Sequence, residues 1–214
     1  MLANRLKQIL PDIISPTQSA FVPGHLITDN VLVAYETLHT MHGRKKGKKG
    51  SVALKLDISK ASDQVEWNFL RGIMEKLGFL ETLVDRVMGC VTISYFSVLN
   101  NGTPYGNISP SRGLSQEDIL SPYLFLLCTE GFTSLLQKVE MEGRIKGVSV
   151  CRRAPRIINL LFAKDSLLFC QANKQEVKEI TKILKMYASS LGQCINLDKS
   201  SVYFSGNTPM EQKN

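Results

Sequence analysis

The sequence predicts an α+β fold in which strands and helices follow the split βαβ order. Three observations lead to this prediction. Residues from Val52 to Asp57 alternate between apolar and more polar side chains, as in a half-buried strand. The stretch from Leu160 to Phe169 places two apolar arms around Lys164 and Asp165, which predicts a β-hairpin with its turn at that pair. Segments before, between and after these strands show helical periodicity.

The first half of the chain contains three predicted helices around the first strand. Thr28 or Asp29 can cap the first of them. Its apolar positions follow the helical period, namely Val31, Leu32, Tyr35, Leu38 and Met41. After the strand, helices are predicted from about Val65 to Leu77 and from about Glu81 to Ile93.

The second half supplies the remaining strands and two long helices. Tyr95–Leu99 runs into Asn100–Gly102, which is a hairpin turn signal. Helices are predicted at about Leu120–Glu142 and Gln175–Leu191, and a last strand at Ser201–Phe204. Without the inserted elements, the order is that of a ferredoxin-like fold. That fold hosts many unrelated activities, so function has to be argued from individual residues.

Composition favours a polyanionic partner. The chain has a net charge of +7 and a pI near 9.2, with ordinary hydrophobic (43%) and charged (21%) contents. Part of this charge lies in a glycine-rich loop at residues 43–50, which we call the basic loop; its cations are Arg44, Lys45, Lys46, Lys48 and Lys49. The basic loop can be a solvated connector or a contact to a nucleic-acid backbone, and both interpretations stay open.

The sequence also bears on location. No apolar run reaches the length of a transmembrane helix, and Met1–Arg5 is not the start of a signal peptide. Five cysteines are scattered without a Cys-x-x-Cys pair and lie mostly in apolar runs, which favours reduced core thiols. We therefore expect an intracellular protein, nuclear or cytoplasmic, that is not secreted and has no membrane partner.

Two carboxylates stand at the ends of predicted strands. Asp57 closes the first strand, and Asp165 lies at the tip of the hairpin. Two strand-end carboxylates, brought together, are what two-metal phosphoryl or nucleotidyl transfer requires. An aspartate at a strand end is, however, more often a cap or turn residue than a metal ligand.

Several motifs that occur in a fixed order favour the interpretation of the two aspartates as metal ligands. They are Pro16–His25 with Ile27–Asn30, Leu56–Asp63 with Glu66 and Trp67, Gly113–Phe125, Leu160–Phe169, and Gly192–Asn196 with Lys199 and Ser200. Together they resemble the reverse transcriptases of LINE-type (non-LTR) retrotransposons, especially the plant copies. Each motif is weak alone, but their order and spacing make the set specific.

This resemblance implies a right-hand polymerase palm with part of the fingers. Residues 1–50 would be a partial fingers segment containing the basic loop, and residues 51–206 the palm, with inserted fingers or palm elements at 80–120. Residues 207–214 would be a tail, and we expect no thumb. The implied activity is RNA-directed DNA polymerisation with Mg²⁺ or Mn²⁺. The implied partners are an RNA template, a DNA primer and deoxynucleoside triphosphates.

The resemblance also implies roles for individual residues. Asp57, Asp165 and the backbone carbonyl of Ile58 would hold metal, and Lys199 would donate a proton to the leaving pyrophosphate. The positions expected to contact nucleotide or template are Ser62, Gly113, Gln116, Asp118 and His25.

Four departures from the family pattern point to a degenerate copy. The family carries Phe-Ala-Asp-Asp at the hairpin, whereas Lys164 stands here at the first Asp. Ser62 replaces the aromatic residue that blocks a ribose 2′-hydroxyl, Glu117 replaces a glycine, and Ile119 replaces a proline. We therefore expect the metal to be weakly bound or absent.

Three functional interpretations follow. The first is a reverse transcriptase domain by descent that is now inactive, a degenerate copy or fragment of its element. The second is a non-catalytic nucleic-acid-binding domain that uses the basic loop and the palm surface. The third is a translated pseudogene product without function.

Overall fold

A computed structural model describes residues 1–47, 49–59, 62–93, 95–115, 118–163 and 165–212. The sequence predictions on Lys48, Gln116, Glu117 and Lys164 lie outside these residues. The helices are α1 (Leu2–Ile13), α2 (Ile27–Gly43), α3 (Trp67–Lys76), α4 (Glu81–Thr92), α5 (Ser121–Met141) and α6 (Lys174–Leu191). The strands are β1 (Ser51–Ser59), β2 (Phe96–Asn100), β3 (Thr103–Ile108), β4 (Asn159–Phe162), β5 (Asp165–Gln171), β6 (Cys194–Ile195) and β7 (Ser201–Phe204). Short 3-10 helices cover Leu197–Lys199 and Met210–Gln212.

The main sheet is built around β1. Its order is β4-β5-β1-β6, and β7 pairs with β1 on the same side as β6. All of these pairs are antiparallel. Strand β1 is thus paired on both edges from Val52 to Lys55. The arrangement confirms the predicted α+β fold.

One face of the sheet packs on α3, α5 and α6 to form the main core. Even-numbered residues of β1, such as Val52 and Leu56, are buried there together with Leu168 of β5. Helix α5 contributes buried residues on nearly every side, including Leu124 and Leu127. A helix that is apolar all round is expected at the centre of a core, which is where α5 lies.

The opposite face of the sheet is covered only in part. A smaller apolar cluster there joins Met41 of α2 to Ala53 of β1 and Phe169 of β5. These two strand residues are cross-strand partners and share the face on which Lys55 and Asp57 also project. Helix α2 therefore covers the beginning of β1 and leaves its other end open.

Two local predictions were wrong. Helix α2 begins at Ile27, so Thr28 and Asp29 lie in its first turn, and Leu26 occupies the N-cap without a side-chain hydrogen bond. The hairpin turn lies one residue earlier than predicted, because Phe162 pairs with Asp165 and the latter is a strand residue. Ala163 takes the left-handed conformation (φ 53°), as tight hairpin turns require.

The prediction that the cysteines are core thiols was right for two of the four cysteines whose burial the structure describes. Cys128 and Cys170 are buried, and desolvation raises the pKa of both thiols, to about 12 for Cys170. Cys90 and Cys151, in contrast, are exposed. No helix formed by the described residues combines the length and apolar character that a membrane crossing demands.

The predicted hairpin at residues 95–108 is confirmed as the pair β2–β3. Every residue of both strands is exposed, including Phe96, Val98, Leu99 and Tyr105. This hairpin thus contributes little to the core.

Candidate active site

The structure brings the two strand-end carboxylates together. Asp57 and Asp165 are direct cross-strand partners of β1 and β5, so their side chains project on one face of the sheet. The backbone N–H and C=O groups of Asp57 point away from β5, toward Ser200 and Asn196 on the other edge of β1. Asp57 and Asp165 therefore form a non-hydrogen-bonded pair, in which opposed Cα atoms lie about 4.5 Å apart. Carboxylates at this spacing can share a cation.

A turn after β6 holds the backbone of Asp57. The Asn196 N–H donates to the Asp57 carbonyl (2.9 Å), and the Asp57 N–H donates to Ser200 Oγ (3.4 Å). The Ser200 hydroxyl donates to the Asn196 carbonyl (2.6 Å), which closes the arrangement. Lys199 lies in this turn and is exposed. Because backbone groups alternate in direction along a strand, the carbonyl of Ile58 points toward the β5 side, past Asp165.

A buried glutamine holds the hairpin that carries Asp165. Gln18 is fully buried, and its Oε1 accepts hydrogen bonds from the N–H groups of Ala163 (3.3 Å) and Ala20 (3.1 Å). Its Nε2 donates to Thr129 Oγ1 of α5 (3.5 Å). Sequence reasoning did not single out Gln18, although it lies inside the first motif.

A buried carboxyl supports the same region. Glu130 of α5 accepts a hydrogen bond from the Ser15 N–H (2.9 Å) at the start of the segment that contains Gln18. Burial raises the pKa of Glu130 to about 7, although the Ser15 hydrogen bond acts in the opposite direction. The carboxyl therefore changes charge near neutral pH.

The segment after β1 docks on the segment before α5. The Gly113 N–H donates to the Val65 carbonyl (2.8 Å), and the Leu114 N–H donates to the Ser62 carbonyl (2.9 Å). The Trp67 indole donates to the Gly113 carbonyl (2.8 Å). Two residues predicted to contact nucleotide, Ser62 and Gly113, are thus close together.

Two further predicted contact residues, Asp118 and His25, have local partners. Asp118 Oδ1 accepts from the Leu120 N–H (3.0 Å), so this carboxylate stabilises the start of α5. Nδ1 of His25 lies 2.6 Å from the Gln18 carbonyl, which makes it a donor there. His25 is therefore linked to the residue that supports the hairpin.

An open groove extends from Asp165 along this face of the sheet. Its volume is about 640 Å³, and it runs between α2 and the strands. Its lining includes five aromatic or imidazole side chains, namely Tyr35, His39, His42, Phe162 and Tyr203. Lys55 also lines it, two residues before Asp57 on the same face. Lys55 is a functional candidate that sequence reasoning placed on this face without assigning it a role.

The basic loop lies at the other end of β1. Arg44, Lys45, Lys46 and Lys49 all precede Ser51, the first residue of that strand. A strand rises about 3.3 Å per residue, so the loop is about 20 Å from the carboxylate pair. The structure therefore does not bring these cations to Asp57 and Asp165.

The described residues contain no group of three or more His, Cys, Asp or Glu side chains placed to hold a metal ion. The Asp57–Asp165 pair supplies two carboxylates. Position 164, where the resemblance implies a third carboxylate, is a lysine in this sequence.

Known proteins resemble this chain over much of its length. The family profile described as reverse transcriptase (RNA-dependent DNA polymerase) matches residues 1–212. A mitochondrial protein of Arabidopsis thaliana, AtMg01250, is 37% identical over 119 residues, which are 54% of this chain and 93% of that protein. The Pol polyprotein of the type-2 retrotransposable element R2DM of Drosophila melanogaster is 27% identical over 93% of this chain. The chain spans only 18% of that polyprotein.

Solved structures show the same fold. Telomerase of Candida tropicalis, in complex with a fragment of telomeric RNA, superposes with a TM-score of 0.65 at 13% identity. The match covers 95% of this chain and 32% of the telomerase chain.

Proposed function

Because the chain belongs to the reverse transcriptase family, with relatives among non-LTR retrotransposon proteins, we propose that it is a polymerase palm whose catalytic centre has lost its activity. The observation that carries this proposal is the cross-strand pair Asp57–Asp165, adjacent in sequence to Lys164. We propose residues 1–50 as partial fingers and 51–206 as the palm, with nucleic acid and deoxynucleoside triphosphates as ancestral partners. An RNA template and a DNA primer are the nucleic acids implied by the family.

The carboxylate pair supplies part of the oxygen ligands that a hard divalent cation needs. Mg²⁺ binds through one or two protein carboxylates together with phosphate oxygens, and Asp57 and Asp165 offer two carboxylates on one open face. The Ile58 carbonyl points toward the β5 side, past Asp165, and is a further oxygen close to the pair. Bound Mg²⁺ would supply electrostatic stabilisation of the charge that develops during nucleotidyl transfer.

Other residues of the chain would position the reactants. We propose that Ser62 and Gly113, which lie close together, hold the incoming nucleotide. Position 62 carries no aromatic ring that would exclude a ribose 2′-hydroxyl. Lys199 is exposed beside the turn that holds Asp57, and we propose it as the proton donor to pyrophosphate. The imidazole of His25 already binds the Gln18 carbonyl through Nδ1, so only its Nε2 remains for phosphate.

Lys164 opposes the metal by charge. Replacing Asp with Lys removes a hard oxygen ligand and changes the local charge by two units. Two unit charges about 4 Å apart interact by about 4 kcal/mol at an effective dielectric of about 20. A site that depends on cations loses much of its affinity under such a change.

Primer extension tests the proposal. The purified chain is expected not to extend a primed RNA or DNA template with Mg²⁺ or Mn²⁺. Template-dependent extension that Asp57→Ala abolishes would show that the centre works with Lys164 in place, and the proposal of inactivity would be withdrawn.

Metal titration tests whether Lys164 is the cause of the expected weak metal binding. Lys164→Asp is expected to raise Mn²⁺ affinity at least about tenfold, because it restores an oxygen ligand and removes the cation. Lys178→Asp on the exposed face of α6 makes the same charge change away from the pair and should have little effect. Equal gains in both variants would mean that net charge, and not the ligand at position 164, controls metal binding.

A second candidate function is nucleic-acid binding without catalysis. It is favoured by the basic loop, whose backbone is held by Asn207: the Asn207 amide donates to the carbonyls of Lys46, Gly47 and Lys49. Under this function, nucleic-acid affinity would be unchanged by chelation of divalent metal and by Asp57→Ala. Loss of affinity on either treatment would favour the polymerase centre as the binding surface.

A further inference from the structure

A polar cavity lies at the end of the sheet away from the carboxylate pair. Its volume is about 170 Å³, and Ser51 and Gln171, the cross-strand partners at the beginning of β1 and the end of β5, contribute to its lining. Three cationic side chains surround it, those of Arg44, Lys49 and Arg156. The cavity is large enough for a phosphate group, and its chemistry favours an anion.

Two loops meet at this cavity. One is the basic loop, and the other, which we call the arginine loop, is the segment 149–156 between Val148 and Ile157, two residues that form an isolated β-bridge. The arginine loop also carries Arg152 and Arg153, both exposed. Neither residues 43–51 nor residues 146–157 contain an Asp or Glu. The combined surface is thus positively charged beyond the cavity itself.

Hydrogen bonds hold both loops in place. Arg44 donates to the Ser149 carbonyl (2.7 Å) and to Ser51 Oγ (3.5 Å), which links the basic loop to the arginine loop and to β1. The Ser149 hydroxyl lies 2.5 Å from the Cys151 carbonyl and 3.0 Å from the Ala154 carbonyl, and so shapes the arginine loop. A preformed site loses less conformational entropy on binding than a disordered one.

We propose that the basic loop and the arginine loop together bind the phosphodiester backbone of a nucleic-acid segment other than the one at the carboxylate face. The cavity takes one phosphate between Arg44 and Arg156, since guanidinium groups match phosphate oxygens in a bidentate manner. Flanking cations contact neighbouring phosphates. The inference shares with the proposed function only the premise that the partner is nucleic acid, and it does not depend on metal binding.

The surface favours nucleic acid over an anionic membrane. Peripheral membrane sites combine basic residues with large apolar side chains that enter the lipid. In the described parts of both loops, no large hydrophobic side chain is exposed. Charge without apolar anchors is typical of backbone recognition in nucleic acids.

Matched triple variants test the proposal. The first removes the three arginines of the arginine loop (Arg152→Ala, Arg153→Ala and Arg156→Ala). The control removes three exposed lysines of α6 (Lys178→Ala, Lys182→Ala and Lys185→Ala), so both variants carry the same net charge. Fluorescence anisotropy then measures affinity for a labelled single-stranded RNA and for the DNA of the same sequence, over a range of salt concentrations.

The arginine-loop variant is expected to bind about tenfold or more weakly, with a salt slope reduced by about 2, since each lost phosphate contact removes about 0.7 from the slope for single strands. The lysine control should change affinity by less than about threefold. Binding of either RNA or DNA supports the site, and their ratio identifies the preferred polymer. Equal losses in the two variants, or no loss in the first, would overturn the proposal.

Photo-cross-linking separates this site from the carboxylate face. RNA containing 4-thiouridine should cross-link to peptides from residues 146–157 and 44–50, and the cross-links should persist in the Asp57→Asn, Asp165→Asn double variant. The proposed function of the carboxylate pair can therefore be wrong while this phosphate site is confirmed. Equally, this site can be absent while the proposed function of the pair holds. Cross-links confined to the groove beside Asp165 would contradict the proposal. So would a loop variant that loses binding to phosphatidylserine vesicles while keeping its RNA affinity.

Discussion

At the scale of single residues, the carboxylate pair is an arrangement that stability alone would not select. Like charges directly opposite on neighbouring strands destabilise a sheet by a few tenths of a kcal/mol to about 1 kcal/mol. Asp57 and Asp165 are nevertheless held in this register by the β1–β5 pairing, by Gln18 and by Ser200. Local arrangements that conflict with stability are expected at functional sites. This conflict with stability supports the proposal that the pair belonged to a cation site.

Glu130 is the residue whose titration should be visible in the stability of the fold. Burial raises the pKa of this carboxyl to about 7 from its ordinary value of 4.5. The folded state thus binds a proton more tightly than the unfolded state. Its contribution to stability is fully present below about pH 4.5 and is lost as the pH rises toward 7.

We predict that Glu130→Gln raises the free energy of unfolding by about 2 kcal/mol at pH 8, with no gain near pH 4.5, because Gln keeps an acceptor for the Ser15 N–H but cannot ionise. Urea denaturation at several pH values measures this. Glu75→Gln, at an exposed position of α3, is the control and should show no such pH dependence. A gain that is constant with pH would rule out titration of Glu130 as its cause.

The positions and roles of some site residues could be predicted from the sequence, and those of others could not. Asp57 could be placed because its position in an alternating strand fixes the face on which it projects. Gln18 could not, because its role depends on contacts with Thr129 and Ala163, which are more than 100 residues away in the chain. The Asp118 carboxylate accepts a hydrogen bond at the start of α5, and a sequence motif alone cannot reveal this local role.

At the scale of elements, Gly113 controls how the segment after β1 docks before α5. Its φ is +93°, and a Cβ at this position would lie 2.5 Å from the backbone oxygen of Asp63. Backbone cannot move aside as a flexible side chain can. Glycine is thus required here both by conformation and by close approach.

We predict that Gly113→Ala destabilises the protein by about 2 kcal/mol more than Gly78→Ala. Gly78 has a similar φ of +84° but no heavy atom within 4 Å of its built Cβ, so it isolates the conformational strain of about 1 kcal/mol. Chemical denaturation of the two variants measures the difference. If their losses are equal, the contact with Asp63 is relieved by a backbone shift and does not limit substitution.

The sequence predicted long elements better than short ones. Helices α5 and α6 begin and end within one residue of their predicted bounds, because a long apolar run marks α5 and apolar periodicity over many turns marks α6. The two-residue strand β6 and the left-handed turn at Ala163 have no such signal. Their geometry is set by the neighbours against which they pair.

At the scale of the whole molecule, the basic loop and the carboxylate pair are separated. The carboxylate pair lies at one end of β1, and the basic loop lies at the other. The net charge of +7 is therefore not a property of the carboxylate face alone. Composition predicted a polyanionic partner, but only the folded chain shows how the cations are distributed.

We predict that replacing the four lysines of the basic loop with glutamine (Lys45, Lys46, Lys48 and Lys49) lowers nucleic-acid affinity about tenfold or more and reduces the salt slope by about 2 to 3. Filter binding at several salt concentrations measures both quantities. Glutamine substitution of Lys174, Lys178, Lys182 and Lys185 on α6 removes the same charge and is the control. Affinity that does not depend on salt would argue against a backbone contact.

The position of β1 has a consequence for motion. This strand is paired on both sides from Val52 to Lys55, with β5 on one edge and β7 on the other, and its apolar side chains lie in the core. Amide protons there should exchange with solvent only when the whole domain opens, whereas those of the exposed hairpin β2–β3 should exchange through local opening. The frame that aligns Asp57 and Asp165 is thus among the last parts of the molecule to open. Single substitutions at the carboxylate pair can therefore remove the proposed cation site long before the sheet that carries it loses its shape.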